Sequence, residues 1–87
     1  MISKDEIIAL FNSNRLDEAS AALHAADADP AWSAFMQGRI EWKQGHKAAA
    51  ISLYNEAVRL DPSSEAATAL EQALKVMEFY NKDLYNP

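Results

Sequence analysis

The chain has 87 residues and no cysteine, which excludes a disulfide framework and a thiolate metal site. A domain of this size buries only ~60–65% of the surface that its unfolded chain exposes, so we expect its stability to be modest. The net charge of −5 argues against nucleic-acid binding, because phosphate contacts rely on clustered lysine and arginine. Only residues 32–60 are basic, with four basic and two acidic side chains, and both flanking segments are acidic.

The amino end is charged at Lys4, Asp5 and Glu6, where a secretory signal would need an apolar segment. No apolar run approaches the ~20 residues that a membrane-spanning helix requires. We therefore expect a cytoplasmic protein that does not enter a membrane.

The low glycine and proline content favours helices throughout the chain. A first short helix is predicted after Ser3, because Ser3 and Glu6 fit a capping box in which each side chain bonds an unpaired backbone N–H. Residues 12–14, Asn-Ser-Asn, break that helix, since these side chains compete for backbone hydrogen bonds. A second helix then runs from about Leu16 to about Ala28.

Three more helices follow. Asp29-Pro30 predicts an N-cap and the first turn of a third helix, which stops at Gly45. The fourth helix runs from about His46 to Leu60, and the fifth from about 65 to 80. The residues expected to face inward on the fourth helix are Ala50, Tyr54, Ala57 and Val58. Those on the fifth helix are Ala66, Leu70, Ala73, Leu74 and Met77.

Small and turn-forming residues recur at a fixed spacing across the third and fourth helices. They are Gly38, Gly45, Ala50, Tyr54, Ala57 and Pro62. Gly38 and Ala50 allow two antiparallel helices to approach closely, and Tyr54 fills the space between hairpins. This set resembles one complete tetratricopeptide repeat (TPR) over residues 31–64, a helical hairpin that buries its apolar face by stacking on its neighbours.

A second, degenerate copy resembles the same repeat over residues 4–30, with Asn14 in place of the turn glycine and Ala19 in place of Ala50. The resemblance implies a single all-α domain over 1–87, a short right-handed α-solenoid of antiparallel hairpins with five helices. Residues 65–80 would be its capping helix and residues 81–87 a tail.

The third helix departs from the family pattern. The family favours large apolar side chains at the positions held here by Ala34, Gln37 and Glu41. The apolar bulk lies instead at Trp32, Phe35, Met36, Ile40 and Trp42. Either this helix is rotated, or its large residues face the concave surface of the array.

The sequence has no residue pattern typical of a catalytic site. His24 and His46 are far apart, and no nucleophile–base pair, phosphate loop or metal-ligand spacing is present. We therefore expect neither enzymatic activity nor a cofactor or metal.

Four residues of the third helix, Trp32, Phe35, Arg39 and Trp42, share one face, and Lys43 lies one turn beyond Arg39. In similar repeat proteins these positions line a concave groove that takes an extended peptide. Aromatic rings beside arginine and lysine suit a partner segment with apolar and acidic side chains, or a chain-terminal carboxylate. The alternative is that the aromatic stripe is core and the two cations are solvated.

The end of the chain offers a second apolar surface, a candidate for self-association. Its residues are Val76, Phe79, Tyr80, Leu84 and Tyr85. Repeat arrays need about three repeats for stability, and this chain has roughly two plus a cap, which favours a homodimer. The tail folding back into the groove would cover the same surface. The sequence thus predicts a protein–protein interaction module, a small scaffold or adaptor that holds a peptide, with a structural homo-oligomer as the alternative.

Overall fold

The protein is a chain of α-helices joined by short turns, seen in a computed structural model that describes residues 2–85, and side chains for residues 2–79. Over that range the helices are α1 Lys4–Asn12, α2 Leu16–Ala25, α3 Pro30–Lys43, α4 Lys47–Leu60 and α5 Ala66–Tyr85. The same residues contain no strand. The predicted five-helix, all-α architecture is confirmed.

Each helix packs against the next one along the chain, and the most extensive contact joins α3 to α4. The radius of gyration is 13.8 Å, larger than the ~12 Å of a compact domain of this length. Principal extents of 52 × 27 × 15 Å show the same elongation. This shape fits a stack of helical hairpins, while the right-handed sense of the stack stays a prediction.

The predicted caps at Ser3 and Asp29 and the two turn residues are present, and of the capping box the structure shows the serine half. The Ser3 hydroxyl accepts a hydrogen bond from the Glu6 backbone N–H at 3.2 Å, which caps α1. A carboxylate oxygen of Asp29 accepts from the Trp32 N–H at 3.1 Å and caps α3 in the same way. Asn14 and Gly45 both take left-handed backbone conformations, with φ of 61° and 86°, and so reverse the chain after α1 and α3.

Two helix ends differ from the prediction. α2 stops at Ala25, before the predicted end at Ala28, and Ala26 is already extended, with φ of −81° and ψ of 146°. α5 continues to Tyr85, five residues beyond the predicted end at Tyr80. Residues 63–86 contain neither glycine nor proline, so no backbone signal stops the helix at Tyr80.

One continuous apolar core runs through the five described helices. Its buried members are Ile7, Phe11, Ala19, Leu23, Phe35, Met36, Ile40, Ala50, Tyr54, Ala57, Ala66 and Ala73. All four core residues that α4 and α5 contribute besides Tyr54 are alanines, so these helices lie close together. Leu74, predicted to face inward, is 50% exposed.

Gly38 is the point of closest approach between α3 and α4. A Cβ atom at this position would lie 2.7 Å from Cδ1 and Cε1 of Tyr54, and 3.3 Å from the carbonyl oxygen of Ala50. Both distances are shorter than ordinary carbon contacts, so only glycine leaves room for the Tyr54 ring. This is the role that the repeat spacing predicts for Gly38.

The unusual polar positions of α3 have partners. The Ser20 hydroxyl donates to the Gln37 side-chain oxygen at 3.3 Å, and the Gln37 amide donates to Glu41 at 3.2 Å. Hydrogen bonds to α2 and along α3 thus replace the apolar packing that the family pattern has here. The large apolar side chains of α3 differ in burial: Phe35, Met36 and Ile40 enter the core, whereas Trp32 and Trp42 are half-buried and pack against it.

Candidate functional site

A groove of about 590 Å³ lies between α3 and α5, with α4 beneath it; we call it the α3–α5 groove. Its residues are Phe35, Arg39 and Trp42 from α3, Tyr54 from α4, and Glu65, Thr68, Ala69, Gln72, Ala73 and Val76 along α5. The walls combine apolar side chains with the polar Thr68 and Gln72, and the ionisable groups are Arg39, Tyr54 and Glu65. This composition is typical of a site that takes apolar side chains and orients them with a few polar groups.

Three of the five residues that the sequence nominates for peptide binding meet in this groove: Phe35, Arg39 and Trp42. Phe35 is only 8% exposed and packs on Tyr54, with ring centroids 6.2 Å apart. It therefore serves the core and the groove wall together. Trp42 is half-buried, and the ammonium of Lys47 lies 5.4 Å from its ring centroid.

Arg39 is held at the edge of the groove by aromatic rings. Its guanidinium carbon lies 4.4 Å from the ring centroid of Phe11 and 5.6 Å from that of Phe35. A guanidinium over an aromatic face is attracted by the ring quadrupole, so these contacts orient Arg39.

Lys43 lies outside the groove, on the side of α1. Its ammonium is 4.3 Å from the Phe11 ring centroid and donates a hydrogen bond of 3.4 Å to the Phe11 carbonyl oxygen. That carbonyl belongs to the last turn of α1 and also accepts the Asn14 backbone N–H at 3.0 Å. Lys43 therefore fastens α1 to α3.

Trp32 lies at one end of the groove rather than inside it. It lines a second depression of about 330 Å³, the end hollow, at the start of α3 and α5. The residues of the end hollow are Lys4, Asp29, Ala31, Trp32, Phe35, Asp61, Ser63, Ser64 and Glu65. Because Phe35 and Glu65 line both spaces, the end hollow adjoins the α3–α5 groove.

The α5 wall of the groove is what the sequence reasoning missed. Ala69 and Ala73 face α3 and leave the space open, and Val76 closes its far end. The available signal is the repetition of alanine at 66, 69 and 73, at helical spacing, which marks a small-residue face. Tyr54 forms the floor, and its burial raises the pKa of its phenol, while nearby Arg39 acts in the opposite direction.

The candidate self-association surface is only partly within the described side chains. Val76 is 36% exposed and Phe79 is 65% exposed. The other three candidates, Tyr80, Leu84 and Tyr85, lie outside the residues whose side chains are described. Val76 belongs to this surface and also to the α3–α5 groove.

Comparison with known families agrees with this architecture. A family model, tetratricopeptide repeat, matches residues 33–64, which hold most of α3 and all of α4. This match and the five-helix, all-helical architecture fit a small TPR-like protein. Neither the comparison with curated proteins nor that with solved structures finds a match. A TPR indicates a protein–protein interaction module in general, and TPR scaffolds are typically non-enzymatic.

Two further features concern residues 2–85, the part of the chain that the structure describes. No group of three or more histidine, aspartate and glutamate side chains is placed there to hold a metal ion. None of the helices in that part of the chain has the length and apolar character needed to cross a bilayer.

Proposed function

We propose that this TPR-like protein holds a peptide segment of a partner protein in the α3–α5 groove. The observation that carries the proposal is the meeting of Phe35, Arg39 and Trp42 in one open space with an apolar floor. The volume of about 590 Å³ is within the ~300–1,000 Å³ typical of ligand sites.

The apolar surface of the groove supplies the binding energy in this proposal. Burying apolar area releases ~25 cal/mol per Å², and a leucine or phenylalanine of the partner gains about 1.5–3 kcal/mol when fully buried. Ala69 and Ala73 leave room for such a side chain opposite Phe35 and Trp42. Aromatic anchors in a pre-formed pocket are the usual centres of protein interfaces.

Arg39 supplies selectivity for an acidic side chain or a terminal carboxylate. A guanidinium binds a carboxylate through two parallel hydrogen bonds. Because Phe11 and Phe35 already orient Arg39, little side-chain freedom is lost when a ligand binds. Lys43, one turn further along α3, adds positive charge to the same end, and Trp32 lies where the ligand would leave the groove towards the end hollow.

A bulky residue placed in the groove tests the proposal without disturbing the core. Gln72 is exposed and lines the groove, whereas Leu74 is 50% exposed and does not line it. We expect Gln72→Trp to weaken binding of peptides selected from a random display library at least about 10-fold, equivalent to ~1.4 kcal/mol. Leu74→Trp is the matched control and should bind normally.

Binding is measured by isothermal titration, and circular dichroism checks that both variants fold. Equal affinities of the two variants would place the ligand elsewhere and reject the groove. Trp42→Ala, with loss of binding in a folded protein, would separately identify Trp42 as an anchor.

Self-association through α5 is the second candidate, favoured by the 65% exposure of Phe79. In this alternative the apolar face that includes Val76 and Phe79 pairs with a second copy of the chain. Light scattering at micromolar concentration should then show a dimer that Phe79→Glu converts to a monomer. A monomer at all concentrations tested would leave peptide binding as the role of the chain.

A further inference from the structure

The end hollow and the adjoining α3–α5 groove differ in charge. The end hollow contains three carboxylates, Asp29, Asp61 and Glu65, against one ammonium, that of Lys4. The α3–α5 groove carries Arg39 further along α3. Asp29 and Asp61 each use one carboxylate oxygen to bond nearby N–H or hydroxyl groups, and their charge still faces the hollow.

The separation of the two ends follows from the helix that joins them. Arg39 is ten residues after Asp29, and α3 is continuous between them. At a rise of 1.5 Å per residue the backbones of these two residues are ~15 Å apart along the axis. An extended peptide advances ~3.3 Å per residue, so it would cross this distance in about four or five residues.

A primary ammonium already fits the end hollow. The Lys4 nitrogen lies 4.9 Å from the ring centroid of Trp32, within the ~6 Å over which a cation is attracted to an aromatic face. Lys4 is exposed and belongs to α1, and Trp32 is half-buried. The hollow therefore combines an aromatic face, carboxylates and an internal cation that can be displaced.

We propose that the groove selects a charge-ordered segment: a lysine or arginine in the end hollow, an apolar side chain on Phe35 and Tyr54, and an aspartate or glutamate beside Arg39. This inference rests on the proposed function and specifies its ligand. Charge complementarity at both ends fixes the register of the peptide, because a shift along the groove would bring like charges together.

Four capped peptides of one length test the charge order by fluorescence anisotropy. Each has a central leucine, and the two outer positions, five residues apart, are Lys/Asp, Lys/Lys, Asp/Asp or Gln/Gln. We expect the Lys/Asp peptide to bind about 10-fold more tightly than each of the others at low salt, with the difference shrinking as salt is added. Equal affinities of all four peptides would overturn the charge order.

Two exposed variants move the preference in opposite directions. Glu65→Lys leaves two carboxylates against two ammonium groups in the end hollow, so it should remove the preference for Lys/Asp over Asp/Asp. Lys4→Met keeps an apolar side chain of similar length and removes the competing ammonium from Trp32. It should therefore raise the affinity for the Lys/Asp peptide several-fold. An unchanged order of affinities in Glu65→Lys, or weaker binding in Lys4→Met, would contradict the proposal.

The results distinguish rejection of the charge order from rejection of peptide binding in the groove. If all four peptides bind equally and Gln72→Trp abolishes their binding, the groove stands and only the charge order is rejected. If none of the peptides binds, both the charge order and the groove are rejected.

Discussion

Gly38 and Tyr54 face each other where α3 crosses α4, and the contact between them is too close to admit another carbon atom. The ring of Tyr54 is 5% exposed and touches Gly38 on one side while it lines the α3–α5 groove on the other. A single aromatic residue therefore links the closest helix contact to the candidate binding surface.

Gly38→Ala should destabilise the protein by about 1–2 kcal/mol. The added methyl overpacks the contact, which costs ~1–3 kcal/mol, and the better helix propensity of alanine returns up to ~1 kcal/mol. Urea denaturation followed by circular dichroism measures the change. In a Tyr54→Leu background the same substitution should cost less, because the ring that it meets is gone. An equal cost in both backgrounds would show that Tyr54 is not the obstacle.

Tyr54 also gives the protein a measurable response to alkaline pH. Burial raises the pKa of its phenol above the ordinary value of about 10, so the folded state keeps a proton that the unfolded chain has lost. The stabilisation is complete below pH ~10 and is lost as the pH rises through the folded pKa.

The free energy of unfolding should therefore fall more steeply above pH ~10 in the parent protein than in Tyr54→Phe, measured by urea denaturation at a series of pH values. The two proteins differ only at this phenol, so the difference between their curves isolates Tyr54. Parallel curves for the two proteins would contradict the assignment.

At the scale of elements, the turns between helices depend on two residues with positive φ. Gly45 reverses the chain after α3 without steric cost, and Asn14 does the same after α1 with a φ of 61°. Asparagine tolerates this left-handed conformation better than other residues with a side chain. The first hairpin therefore keeps its turn although the glycine of the repeat pattern is missing.

Asn14→Ala should lower the free energy of unfolding by about 1 kcal/mol, because alanine bears the left-handed strain that asparagine partly relieves. Asn14→Gly is the control and should leave stability nearly unchanged. Urea denaturation of the parent protein and of both variants measures the free energy of unfolding. A stable alanine variant would indicate that the turn relaxes to another conformation.

The helices and their starts are predictable from local chemistry, whereas long-range placements are not. Ser3 and Asp29 mark the starts of α1 and α3 in the sequence, because a capping side chain bonds a backbone group only three residues away. Spacing at 3.6 residues per turn likewise predicts that Phe35 and Trp42 share a face. Lys43 could not be placed in this way, because its partner is Phe11, a residue 32 positions earlier that α1 brings to α3.

At the scale of the whole molecule, the two candidate surfaces overlap. Val76 lines the α3–α5 groove and is also exposed beside Phe79, which lies three residues further along α5. A second copy of the chain seated on Phe79 would therefore cover the far end of the groove. Peptide binding and self-association through this face exclude each other.

Adding a groove-binding peptide should convert any dimer to a monomer, and dilution should raise the apparent peptide affinity. Multi-angle light scattering with and without saturating peptide measures the first effect. Phe79→Glu should abolish the dimer and leave peptide binding of the monomer intact, since Phe79 does not line the groove. A dimer that still binds peptide would place its interface elsewhere.

Because the Tyr54 ring lines the groove, partners can be found by the rise in melting temperature that their binding causes. A compound or peptide that seats on this ring stabilises only the folded chain, and at a hundred times its Kd it adds about 2.7 kcal/mol. Each kcal/mol raises the Tm of a domain this small by about 4–8 °C, so even modest ligands would delay melting visibly. Fragments of candidate proteins can therefore be ranked by the temperature at which this chain loses its helices.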